Sequence, residues 1–402
     1  MSAVTRYDYN ELVKRVQDYC VQREIPVPRW RRTTNQEEEL AFHANVLRAI
    51  KELGFQVAEE DRQAVAREVA NRITGMGVLQ PYLEQEGIEE IIVRKGFVQV
   101  ERDGQIHDVG DLAPDVYFYR LTRRIADLEG KEIGAEDPQI KLGLPDGSRF
   151  TAAIPPLSRE GTAINIRRFS RKKLTFEDLI ERNAMDAETA EFLKDVARTM
   201  DKSVIFSGRP GAGKTTMLNA FTQYLPRHAQ LSLVETFQEV QPQLAHFNHL
   251  VVEEGLGEVG RVVNVVFLRM RPDVMIIGEI VSEEAIEFIM GLNLGITAYS
   301  TTHAHSARLA MTRIETLSRG AGIPLEERRE IIGSGLGVAV HIHKGYDPDT
   351  QAYRRYLREM IAVSGVKRTS EGVEYDYEVI KEYDQRRRAW TPLREPKHWR
   401  EL

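Results

Sequence analysis

Cysteine is almost missing from this chain. Cys20 is the only one, which excludes an internal disulfide and any zinc site built on cysteines, and fits a reducing compartment. Long apolar runs are missing too. No stretch approaches the ~20 residues that a membrane-spanning helix needs, and the first residues lack the apolar core of a signal peptide, so the expected location is cytoplasmic. Positive charge is not in excess: Lys and Arg number 55 against 61 Asp and Glu, a net charge of −6. There is thus no general basic field for nucleic acid, and a nucleic-acid partner is not expected. Internal repeats and low-complexity tracts are also absent. What remains, 42% hydrophobic and 29% charged residues, is the composition of a globular protein. A chain of 402 residues exceeds one ordinary core and suggests two or three domains.

The most informative stretch runs from Ser203 to Phe221, SVIFSGRPGAGKTTMLNAF. Val204, Ile205 and Phe206 read as a buried strand, Gly208 to Gly213 as a glycine-rich turn, and Lys214 onward as a helix with Met217, Leu218 and Phe221 on one face. Gly208, Gly213, Lys214 and Thr215 fill the pattern G-x-x-x-x-G-K-[ST]. Such a loop (Gly208, Pro210, Gly211, Ala212, Gly213, Lys214, Thr215, Thr216) surrounds phosphate oxygens with the backbone N–H groups of its residues other than Pro210, which has none. Lys214 reaches the β/γ-phosphates, and the Thr215 hydroxyl holds Mg²⁺. The helix N-terminus adds its partial positive charge at the same spot.

Before this loop, residues 5 to 80 have helical spacing, with Pro26 and Pro28 separating the first helix from the second. Near Gly75 the pattern changes. Ile88 to Val93 and Phe97 to Glu101 read as strands turned by Lys95-Gly96, with a further turn at Asp103-Gly104. Pro114 to Leu128 has helical spacing. Leu142 to Leu144 and Phe150 to Ile154 form a hairpin around Asp146-Gly147, and Ala163 to Phe169 is another strand. Ser170 to Lys173 read as a short basic linker and hinge. After the loop, strands and helices alternate as in a parallel sheet. Leu231 to Glu235 is a strand, Glu258 to Met270 a helix, Val274 to Ile280 a strand, Ser282 to Leu294 a helix capped by Ser282, and Thr297 to Thr302 a strand. Helices follow from Ser306 to Ser318 and from Pro324 to Ile332. Residues after about 350 are polar and less periodic.

Hydrolysis of a nucleoside triphosphate needs acidic groups near the loop. Glu279 closes the apolar strand VMIIGE, and Glu235 and Glu239 follow the strand LSLV. Both are at the strand ends where ligands of parallel α/β sheets bind. His303 closes the next strand in TTHAH, placed to sense a γ-phosphate by hydrogen bonding rather than to act as a base. His303 and His305 have no third ligand at metal spacing, so they do not read as a zinc pair. Arg149, Arg167 and Arg168 at the end of the preceding domain are either solvated sheet-face charges or donors aimed at phosphate across a cleft.

GRPGAGKTT, VETFQEV, LRMRPDVMIIGEI and STTHAHSARLAMTRIETL, in that order and spacing, resemble the Walker A, Asp box, Walker B and His box of the type II/type IV secretion ATPases. LPDGSRFTAAIPPLSREGTAINIRRF and RRYLREM resemble the CpaF/TadA branch, which powers Tad-type pilus assembly. The resemblance implies a RecA-like P-loop NTPase domain with a predominantly parallel sheet, preceded by an α+β, PAS-like domain and an N-terminal helical bundle. The resemblance runs from about residue 70 to 365, and the pattern of the chain divides it into a helical region at 1–74, the α+β domain at 75–170, a hinge at 171–184, the ATPase domain at 185–350 and a C-terminal extension at 351–402.

The same resemblance implies a homo-hexameric ATPase using ATP and Mg²⁺. It would lie at the inner face of the cytoplasmic membrane and drive an integral membrane platform protein by motion of its N-terminal domains. Carried over by position, Lys214 and Thr215 bind phosphate and metal, and Glu239 matches the Asp-box glutamate that orients water. Glu279 matches the Walker B glutamate, placed here with Thr215 at the metal, and His303 the His-box histidine. Arg149, Arg167 and Arg168 match arginines that reach nucleotide. Three positions depart from the family pattern: Thr236 stands where an Asp is usual, Val281 where an Arg is usual, and Lys141-Leu142-Gly143 where Asp-Ala-Arg is usual. Each departure removes a charged group. They motivate an alternative reading, a nucleotide-gated structural subunit that hydrolyses little, beside a third, a conjugative-transfer ATPase of the same superfamily.

Overall fold

The computed structural model describes residues 7–28, 36–102, 104–169, 173–244, 246–252, 258–282, 284–348, 351–370 and 372–396. It divides into two units, Met1–Ser170 and Arg171–Leu402. The division falls at the basic linker, of which residues 170–172 lie outside the described residues, as does Asp103 of the turn expected before Gly104.

The first unit opens with α1 (Tyr9–Gln22), α2 (Gln36–Glu52) and α3 (Arg62–Thr74). Asp8 caps α1 by accepting from the N–H groups of Asn10 and Glu11, satisfying donors that the helix itself cannot. Leu12, Val16, Tyr19 and Cys20 recur at helical spacing and pack with Val46, Ile50, Val65 and Val69. A short α4 (Gln80–Glu84) leads into β1 (Ile88–Arg94), β2 (Phe97–Arg102), β3 (Gln105–Asp111), α5 (Asp115–Leu128), β4 (Gln139–Gly143), β5 (Arg149–Ala153) and β6 (Ala163–Arg167). The strands form one sheet in the order β3-β2-β1-β6-β5-β4, with every pair antiparallel.

Helices and sheet belong to one unit rather than to separate 1–74 and 75–170 bodies. The physical tie is α5: the half-buried Arg124 guanidinium donates to the carbonyls of Ile73, at 3.0 Å, and Gly75. The last carbonyls of a helix have no intrahelical partner, and this cation satisfies one beside the C-terminus of α3.

The second unit contains α6 (Phe176–Glu181), α7 (Ala187–Thr199), β7 (Ser203–Gly208), α8 (Lys214–Thr222), β8 (Leu231–Glu235), β9 (Asn248–Val251), α9 (Glu258–Val265), β10 (Val274–Ile280), α10 (Glu284–Asn293), β11 (Thr297–Thr302), α11 (Ala307–Leu317), α12 (Leu325–Gly335), β12 (Leu336–Asp347), β13 (Ala352–Thr369), β14 (Gly372–Asp384) and β15 (Ala389–Trp390). Nine strands run in the order β15-β14-β13-β12-β7-β11-β10-β8-β9. The six from β12 to β9 are mutually parallel. Their apolar residues alternate between two faces. Phe206, Leu233 and Ile276 face the core that holds α7 and α8, whereas Ile205, Val234 and Ile277 face the core of α10, α11 and α12. A sheet covered on both faces is what makes such strands read as continuous apolar runs.

The structure differs from the sequence expectation in several places. Residues 176–184, expected within the hinge, are part of the core: Phe176 is fully buried and Thr175 closes a capping box with Asp178. Residues 351–402, expected as an extension, supply β13, β14 and β15, which pair antiparallel along the β12 edge. Lys381 shows why composition hid them. Its ammonium group is fully buried on β14, yet it meets Asp186 at 2.7 Å and Glu188 at 2.6 Å at the start of α7. A charge tolerates burial when paired, and a sequence scan cannot see the pair. The helix expected to run from Glu258 to Met270 is α-helical only to Val265 and then widens into a π turn, Val266–Met270. Ser282, expected to cap α10, instead donates its N–H and hydroxyl to Glu284. Ser306 does cap α11, accepting from Leu309.

His341 of β12 is buried, with Nδ1 3.1 Å from the hydroxyl of Ser207 on β7. Burial, reinforced by His343, Arg358, His305 and Arg209, pushes its pKa from 6.5 down to about 4. Its unfolded form therefore binds a proton that the native form refuses between those values. Native stability is full above pH 6.5 and falls as pH drops toward 4. Urea midpoints at pH 7 and pH 5 are expected to show this group costing about 2 kcal/mol over that interval. His341→Asn is expected to flatten the difference, and an unchanged slope in that variant would remove His341 as its source.

Candidate functional site

The loop between β7 and α8 depends on glycine. Gly213, at φ +96°, is the N-cap of α8 and offers no side chain to its first turn, so those N–H donors are left for an anion. A Cβ on Gly208 would stand 2.4 Å from the carbonyl oxygen of Ile342 on β12, so only glycine lets these strands approach so closely. Pro210 and Gly211 are exposed, Ala212 is buried and anchors the loop, and Thr215 and Thr216 are half-buried.

Four parallel strands end around this loop. Lys214 is buried, with Nζ 3.3 Å from Oε1 of Glu279 at the end of β10 and 3.1 Å from Nδ1 of His303 just past β11. Nε2 of His303 is 3.2 Å from the same Glu279 oxygen. A neutral ring protonated on Nε2 satisfies both neighbours: it donates to Glu279 and accepts from Lys214. In that tautomer the 3.2 Å approach of Nδ1 to the Gly208 carbonyl is a packing contact, since both atoms are acceptors.

On the other side, the Thr215 hydroxyl donates to Oε2 of Glu239 at 3.3 Å. Glu239 lies after β8, where the chain has left the sheet, and three groups hold it. Its N–H and that of Val240 each donate to Oε2 of Glu235 at 3.0 Å. Nδ2 of Asn219 on α8 donates to its carbonyl at 3.1 Å, and the Gln241 N–H donates to Oδ1 of Asn219 at 2.7 Å. The second Glu235 oxygen meets Nε2 of His249 on β9 at 2.7 Å. Glu235 is therefore a positioning residue, fully engaged with backbone and imidazole, while Glu239 faces the loop. Sequence reasoning flagged both acids but missed Asn219 and His249. The available signal for Asn219 was a lone amide in the helix TTMLNAF.

Asn219→Ala removes two bonds from the Glu239 segment. Turnover of Mg·ATP is expected to fall about tenfold, the cost of about 1.4 kcal/mol in holding the carboxylate. Steady-state kinetics check this, and unchanged turnover would mean that the Glu235 bonds suffice.

In the first unit, Arg149 and Arg167 are paired in register on β5 and β6. The Arg168 N–H donates to Glu89 at 2.9 Å, and its guanidinium donates to the carbonyls of Ile88, at 3.1 Å, and Gln85. Arg168 thus clasps the start of β1.

A glycine loop opening a helix at the carboxyl ends of a parallel sheet, with a buried lysine between a carboxylate and an imidazole, defines a nucleotide-binding domain of the RecA type. The chain belongs to the type II/IV secretion system protein family, whose model matches residues 98–338, more than half of its length. It is 27% identical over 324 residues to a Mycobacterium tuberculosis protein whose name assigns it provisionally to conjugal transfer, covering 76% of this chain and 88% of that one. It is 28% identical over 303 residues to the type IV secretion system protein PtlH of Bordetella pertussis, covering 66% and 88%. The ATPase DotB of Legionella pneumophila shares the fold, with a TM-score of 0.51 at 16% identity over 71% of this chain and 79% of that one. Among the described residues no helix is long and apolar enough to cross a membrane.

Proposed function

We propose that the chain is an ATP-hydrolysing motor subunit of the CpaF/TadA branch, working as a homo-hexamer on a membrane platform protein of a pilus or secretion machine. The observation that carries this reading is the meeting of Lys214, Glu279, His303, Thr215 and Glu239 around one phosphate-binding loop. Lys214 binds the β/γ-phosphates together with the loop N–H groups from Gly211 to Thr216. The oxygen donors Thr215 and Glu279 suit Mg²⁺, a hard cation, which when bound neutralises charge on the phosphate oxygens. Glu239 orients the attacking water and His303 registers the γ-phosphate. Arg149 and Arg167 are assigned to nucleotide in a closed state of the ring, and Arg168 to the same state on release of the Gln85 and Ile88 carbonyls it holds here. A donor supplied by a neighbouring protomer requires a heterologous interface that repeats until it closes.

The test is steady-state phosphate release with Mg·ATP beside a solution mass. Turnover by a particle of six 45.9 kDa chains is the expected result; binding without release would overturn it. That second outcome would favour a nucleotide-gated structural subunit, for which Thr236 and the exposed Val281 are the motivating positions. The names of two relatives, which concern conjugal transfer, support the third reading, a conjugative-transfer ATPase, and loss of conjugation rather than of piliation in a deletion strain would decide for it.

A further inference from the structure

A cavity of about 100 Å³ is lined by Arg209 of the phosphate-binding loop together with His305, His341, Ile342, His343, Lys344 and Arg358. It shares no lining residue with the Lys214–Glu279–His303 and Thr215–Glu239 groups. Every polar side chain facing it is basic, and they come from four places: the loop after β7, the segment after β11, β12 and β13. Arg209 and Arg358 are exposed and have no acidic partner among the described residues. The nearby acid on β13, Glu359, turns away and accepts from the Ala307 N–H at 2.6 Å. Nδ1 of buried His341 is taken by Ser207, and its Nε2 has no hydrogen-bond partner among the described residues.

Bringing Arg209 and Arg358 to one cavity without an acidic partner costs Coulomb energy. An anion relieves that cost. A volume of about 100 Å³ has room for one tetrahedral oxyanion. We propose that this cavity is a second anion site of the chain, taking a single phosphoryl-type oxyanion between Arg209 and Arg358. The site is joined to the loop: Arg209 belongs to it, and Arg355 of β13 donates through Nε to the Gly211 carbonyl at 2.9 Å. Occupancy would therefore brace the loop from outside. The proposal does not depend on the chain hydrolysing ATP.

The experiment is equilibrium dialysis of the full chain against radiolabelled inorganic phosphate, with Lys214→Ala to disable the loop site. One phosphate per chain is expected to remain in Lys214→Ala, displaced by sulfate. Adding Arg358→Gln should weaken it at least tenfold, and Arg358→Lys should restore most of the binding. Arg358 is exposed and unpartnered, so circular dichroism should be unchanged in both variants. Competition by ADP in Lys214→Ala would identify the anion as a phosphoryl group of nucleotide, and indifference to ADP would identify free phosphate. Loss of all phosphate in Lys214→Ala, or binding that ignores Arg358→Gln, would overturn the proposal.

Discussion

Replacing Lys214 by Ala is expected to lower ATP turnover about a thousandfold while leaving the fold in place. A preorganised cation at the phosphates stabilises charge that builds in the transition state, and the loss of such a contact typically costs 10²- to 10³-fold or more. Lys214 carries the one ammonium group in its cluster with Glu279, His303, Thr215 and Glu239, and none of the other four has one to replace it. The fold is spared because its partner Glu279 is 36% exposed, so water takes over the carboxylate when the ammonium is gone. Phosphate release together with the thermal midpoint checks both halves. Turnover that survives the substitution would remove the loop from the chemistry and the proposed activity with it.

The second large effect is expected from Glu279→Gln: nucleotide binding within a few-fold of the parent, and turnover down at least a hundredfold. The amide keeps an oxygen in place to accept from Nε2 of His303, now 3.2 Å away, so the local geometry survives. What is lost is the negative charge, on which both the hold on Mg²⁺ and the polarisation of water depend. Glu239→Gln serves as the comparison, because its backbone and not its side chain is held by Glu235 and Asn219. If Glu279→Gln turns over normally and Glu239→Gln does not, the metal and water roles belong to Glu239. Binding of a fluorescent ATP analogue and phosphate release in one preparation separate the two outcomes.

Local pattern and tertiary geometry contributed differently to what could be read. The spacing from Gly208 to Thr215, the apolar run into Glu279 and His303 at a strand end are local facts, and each is where the chain order placed it. Parallel strands bring their carboxyl ends to one edge, so residues 214, 279 and 303 meet once the sheet forms. Glu239 needed more, since it lies in irregular chain whose course depends on Glu235, Asn219 and Val240 bonding at a distance.

By itself the sequence determined the loop, its helix, the two-faced parallel strands and the family, because these rest on residue type and short-range period. Only the tertiary structure decided that the segment after residue 350 joins the sheet through β13 and β14, with Lys381 buried against Asp186 and Glu188. The same holds for Arg168, which serves β1, and for Arg209, His341 and Arg358, which share one cavity. The reason is common to all of them. A buried or clustered charge is tolerable or costly according to partners far away in the chain, and the identity of the residue does not record which partners it will meet.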